Sequence, residues 1–272
     1  MQLHKGNHMK RSALVCAMLV LAGAAHAEDG FSASVGADYS TGDYGTDTTT
    51  KIFSVPVTAR FNDGNWRYKA SLPWMRVEGD PNVVPGLGSL DNLNPRGRGR
   101  GGLIGGEPTA TETGSASGIG DLRLAATYSF DTGHALGIDV TGNAKIATAD
   151  EDKGLGTGAN DYGIALDLYR DFGGTLLFGG AGYTLLGDSD YIDVDSVLNA
   201  NFGATRRVGR GSLGAMYDWR EAASDAADDR SEITGFYSFP TGDRTKMQVY
   251  GFTGLSDGSP DVGAGINLTA AF

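Results

Sequence analysis

Arg60, Arg67, Lys69, Arg123, Lys145 and Arg220, with Asp38, Asp121, Asp139, Asp167 and Asp218, fall on the polar side of segments whose alternate residues are apolar. Around an aqueous space, such side chains would hold water and select solutes by charge. In a dry interior the same charges would have to pair, because a buried ion without a partner is costly. Two readings follow: a pore lining, or ladders of ion pairs that plug a lumen. A second charged feature is PRGRGRGG, which carries Arg96, Arg98 and Arg100. Folded into a pore, three guanidiniums would form a constriction favouring anions. On an external loop they would meet lipopolysaccharide phosphates. The plain reading is a loop with no defined partner.

Other chemistry finds less support. A nucleophilic hydrolase needs a base beside its nucleophile, most often histidine. The histidines are His4, His8, His26 and His134; three lie in a leader and the fourth in a short turn. No G-x-S-x-G elbow occurs, so no enzyme and no catalytic residue are expected. Asp188, Asp190, Asp193 and Asp195 lie close together, as do Asp225, Asp228 and Asp229. They lack the glycine and terminal glutamate of a calcium loop and read as solvated loops, so neither a metal nor a cofactor is expected. Acidic residues number 33 against 22 basic ones, a net charge of −11, which excludes nucleic acid as a partner.

The elements that carry these charges are strands. In GIGDLRLAATYSF, Leu122, Leu124, Ala126, Tyr128 and Phe130 take one face, and Asp121, Arg123, Ala125, Thr127 and Ser129 the other. A period of two means a strand between two different environments. ALGIDVTGNAKIAT repeats the pattern after a tight turn at 131–134. Further strands are expected at 31–40, 53–61, 66–74, 161–172, 175–186, 198–205, 212–220, 231–239, 246–255 and 261–272, making about twelve. The faces of 175–186 and 246–255 are not assignable from pattern. Short turns alternate with longer polar loops, and the longest irregular stretch is 78–117. Aromatic residues gather at strand ends: Phe61, Trp66, Phe130 and Phe272 on the short-turn side, Tyr39, Trp74, Tyr162 and Trp219 on the other. Lys10 and Arg11 precede the apolar run 12–25 and a small-residue site ending at Ala27, the form of a secretory signal peptide. The only cysteine, Cys16, lies in that leader, and translation could also begin at Met9.

Together these features predict a signal peptide at 1–27, then an all-β chain, 28–272. It folds as a transmembrane, antiparallel, up-and-down β-barrel in the bacterial outer membrane. Pro56 and Pro73 fall mid-strand on the lumen face, so a bulge is expected at each.

GIGDLRLAATYSF, GLGTGANDYGIALDLYRDFG and TLLFGGAGYTLLG resemble the outer-membrane β-barrel family associated with the meta-pathway of phenol degradation, over about residues 118–272. The resemblance implies transport of small, often hydrophobic or aromatic, compounds, and carries no binding residues with it. The terminal Phe272 looks like the signal read by the barrel-assembly machinery. The expected function is a porin-like channel for passive passage of small molecules, in contact with outer-membrane lipid and lipopolysaccharide. The alternative is a plugged structural or adhesive barrel.

Overall fold

The computed structural model describes residues 29–90, 92–94, 97–98, 113–132, 135–224 and 227–272. The expected signal peptide, Arg96, Arg100, His134 and Asp225 lie outside the described residues. In chain order the strands are β1 (Gly30–Gly42), β2 (Thr50–Asp63), β3 (Trp66–Gly79), β4 (Val83–Val84), β5 (Gly88–Ser89), β6 (Gly114–Ile119), β7 (Leu122–Phe130) and β8 (Leu136–Ile146). They continue with β9 (Asp161–Asp171), β10 (Thr175–Leu185), β11 (Val197–Val208), β12 (Gly211–Arg220), β13 (Arg230–Pro240), β14 (Thr245–Gly254) and β15 (Val262–Ala271). β6 and β7 are two halves of one spanning strand, since both pair with β3. Each spanning strand pairs antiparallel with its neighbours in sequence, and β15 returns to β1 from Ser32↔Ala271 to Thr41↔Val262. The result is a closed barrel of twelve spanning strands.

Closure leaves no sheet edge, and the alternation then sorts residues to two solvents. Phe202, Ile164 and Val57 stand outside, 63%, 59% and 57% exposed, while Asp139 and Thr141 point inward at 0% and 1%. A water-soluble protein would reverse these. Inward hydroxyls bond across strands, Thr58 to Ser71 at 2.8 Å and Thr127 to Thr141 at 2.9 Å. Strands of about ten residues rise ~33 Å, enough to cross a bilayer at a tilt. At the turn end Trp66 meets Tyr128 edge-on, and Tyr128 meets Phe130 likewise, forming part of the expected aromatic girdle. Among the described residues no helix is long and apolar enough to cross a membrane.

The two prolines resolve differently from expectation. Pro56 and Pro73 face each other directly, in an unbroken β2–β3 register. Gly120 donates to the Pro73 carbonyl at 2.8 Å, so the backbone of Pro73 addresses β6–β7 and that of Pro56 addresses β1. Beside Pro73 a bulge does form, on the neighbouring strand: pairing steps from Ser71↔Arg123 to Trp74↔Ile119 around Gly120 and Asp121. At Pro56 there is none, because Val35↔Val57 and Asp38↔Ser54 keep one register on either side. A lone missing donor is thus absorbed without an extra residue.

β3 also runs past Trp74 to Gly79, and β6 starts at Gly114, which trims the expected irregular stretch, 78–117, at both ends. In this extension the polarity inverts. Met75 and Val77 point inward and are buried against Leu155, while Arg76 and Glu78 pair on the outside, both about half exposed. The barrel here stands above the lipid, so water lies outside and packing inside.

Candidate functional site

The lumen is the candidate site, and its two halves differ. In the half near the short turns, β2 and β3 present Arg60, Arg67 and Lys69, with Arg60 directly opposite Lys69. Arg67 forms an ion pair with Asp139 of β8, whose side chain is fully buried. Asp139 stands directly across from Asp167 of β9. Like charges so placed repel, and the single Arg67 guanidinium neutralises only one of them. Asn201 leans toward Asp167 from two strands away, across Gly180.

Register extends these contacts into rows. Asp139, Asp167, Gly180, Asn201, Asp218 and Glu232 are successive cross-strand neighbours from β8 to β13. One step toward the turns lies a row of different character, Gly137, Tyr169, Phe178, Gly203 and Met216. Tyr169, Leu176, Phe178, Met216 and Phe236 form one buried apolar cluster, with Tyr250 packed against it. The rings lie along the wall instead of across the lumen, because each covers a glycine on the adjacent strand. Tyr169 fills the Cβ position of Gly137, Phe178 that of Gly203, Phe236 that of Gly214, and Tyr250 that of Gly265. An acidic stripe thus borders an aromatic one on the same wall.

In the half near the long loops the charges are tied to structure. Lys145 reaches Asp161 at 2.9 Å and Asp121 at 3.6 Å. Oδ1 of Asp121 accepts from the backbone N–H groups of Thr148 and Ala149, pinning the start of the 147–160 loop to the bulge. Arg123 lies directly opposite Lys145. Arg220 of β12 donates to the carbonyls of Gly86 and Leu87, which brings residues 80–90 of the long loop into the mouth of the barrel. Val84 and Leu90 of that loop pack with Ile192, Val194, Val197 and Ala223. Arg98 is buried and donates to the carbonyls of Asp80, Val83 and Gly154, the last two at 3.0 and 3.2 Å. Burial pushes the Arg98 guanidinium down to about 10, against the pull of Asp80, so it stays charged at neutral pH. Residues 80–90, 186–196 and 221–224 therefore form a cap, and Arg98 bonds the first of these segments to the 147–160 loop.

The structure brings together Arg67, Asp139 and Asp167 in the turn half, and sets Arg60 opposite Lys69 on β2 and β3. It places Asp121, Arg123, Lys145, Asp218 and Arg220 in the loop half, with Arg98 among loop carbonyls. The aromatic stripe escapes the sequence pattern, since the faces of 175–186 and 246–255 are masked by glycine. The available signal was the glycines themselves, which mark where a neighbour's ring must lie.

Neither a protein-family model nor a curated protein sequence matches this chain. Solved structures do. The translocator domain of the autotransporter NalP from Neisseria meningitidis superposes with a TM-score of 0.52 at 11% identity, covering 91% of this chain and 90% of that one. The β domain of the Bordetella autotransporter BrkA gives 0.51 at 12% identity, covering 90% and 100%. The porin KdgM, in complex with disordered oligogalacturonate, gives 0.49 at 7% identity, covering 88% and 99%. The chain shares the fold of outer-membrane β-barrels, and its apolar exterior belongs in that membrane.

Proposed function

We propose that this protein is an outer-membrane channel for the passive passage of small molecules. One observation carries the reading: the lumen wall separates an acidic stripe from an aromatic one instead of pairing its charges throughout. A barrel filled for stability alone would neutralise each inward ion, as Lys145 and Arg123 together do for Asp121 and Asp161. The turn half instead leaves Oδ1 of Asp139 and Oδ2 of Asp167 without hydrogen-bond partners. Such a wall suits amphipathic solutes, in keeping with the resemblance to the phenol meta-pathway family, which stands as part of this proposal. Passage through it would be downhill, with Arg60, Arg67, Lys69, Asp139 and Asp167 as the selective lining. The chain is exported by the leader at 1–27 and assembled through the strand ending in Phe272.

The cap favours a second reading, a closed structural barrel whose loops serve the surface. Flux into liposomes separates the two. Proteoliposomes containing refolded 28–272 should swell in isotonic solutions of small neutral and aromatic solutes faster than empty ones. Equal rates, with insertion verified, would leave the closed barrel.

A further inference from the structure

The acidic and aromatic stripes meet at one place, where Asp139, Asp167 and Asn201 border Tyr169, Phe178 and Met216. We propose that this part of the lumen is a binding subsite for small aromatic monocations, with the ring on the aromatic stripe and an ammonium head on Asp139 and Asp167. The inference rests on the channel reading above and names the class of solute. Three observations support it.

The first is hydrogen bonding. Oδ1 of Asp139, Oδ2 of Asp167 and Oδ1 of Asn201 have no partner, on side chains that are 0%, 6% and 5% exposed as residues. All three atoms are acceptors, so what completes them must donate. An ammonium brings three donors. The second is charge. The charged groups acting on Asp167 are Asp139 and Arg67, with Asn201 bonded to it, and these two carboxylates against one guanidinium leave a single negative charge. One positive charge balances it. The aromatic stripe beside these carboxylates favours an organic cation over a bare metal ion, and among the described residues no group of three His, Cys, Asp or Glu side chains could hold a metal. The third is shape. Asp167 and Tyr169 are two residues apart on β9, roughly 7 Å along the strand. An arylalkylammonium spans that distance with one hydrogen bond. Aromatic side chains such as Phe178 and Tyr169 attract both a second ring and a cation.

The test uses refolded 28–272 in detergent micelles, titrated by calorimetry with phenethylammonium, phenethyl alcohol, phenylacetate and methylammonium. Phenethylammonium should bind about tenfold or more tightly than the alcohol and methylammonium, and phenylacetate should be weakest. Asp167→Asn should erase that preference. Equal affinity for cation, alcohol and anion would overturn the proposal, as would an unchanged preference in Asp167→Asn. If that variant gives no heat-modifiable barrel, the ligand series on the unaltered chain decides alone. Flux assays keep the two proposals apart. Cation-selective binding without passage would keep the subsite and overturn the channel, whereas passage without cation-selective binding would do the reverse.

Discussion

Arg67 sets the electrostatics of the turn half, because among the described residues it is the cation that offsets a carboxylate pair in direct register. Arg67→Met leaves Asp139 buried without its cation. Removing one partner of a buried pair costs about 3–5 kcal/mol, so the urea midpoint of refolded barrel should fall clearly. Adding Asp139→Asn should recover most of that loss, since the orphaned charge is gone. No recovery in the double variant would mean that Arg67 acts through packing. These inward charges were legible in the sequence because a period of two names a face without any knowledge of partners. Which charges pair was not legible, since Arg67 and Asp139 are 72 positions apart and meet only through the closed register.

At the level of elements, the stripes depend on glycines opposite rings. Gly214→Val places a branched side chain where Phe236 lies. Overpacking costs about 1–3 kcal/mol, and the ring must then swing into the lumen, so both thermal midpoint and conductance should fall. Gly142→Val is the control, because nothing lies within 4 Å of its Cβ position; it should change neither. Equal effects from the two would argue against the ring–glycine packing. β10 and β14 hid this arrangement because glycine carries no polarity to pattern. The extension of β3 was hidden for the opposite reason: Met75–Glu78 alternates well, but with apolar residues inside and charges outside. The cap is a further element with its own prediction. Arg98→Met removes charge-assisted bonds to three loop carbonyls, each worth about 1.5–3 kcal/mol. Amide exchange in 80–90 and 147–160 should accelerate by at least tenfold while the barrel strands stay protected. Burial lowers the Arg98 guanidinium only to about 10, so it keeps its charge and in the unaltered chain this protection should be flat from about pH 5 to about pH 8. A midpoint inside that window would point to a different latch.

For the whole molecule, strand number, alternating connections and the inside-out polarity were all readable from the chain. Each is a local property repeated twelve times. The cap was not readable, because it forms from loops whose contacts are set by the closed barrel beneath them. Val84, Ile192 and Ala223 carry no periodic signal, yet they pack into one cluster at the loop end of the barrel. The central claim is that the lumen beneath this cap conducts. The most direct measurement is single-channel conductance of refolded 28–272 in a planar bilayer, beside a variant with 80–113 replaced by a short glycine-serine linker. The account predicts small, salt-dependent steps for the full chain, and steps severalfold larger without the loop. Silence from both, with insertion shown by protease protection, would contradict it and leave a closed barrel.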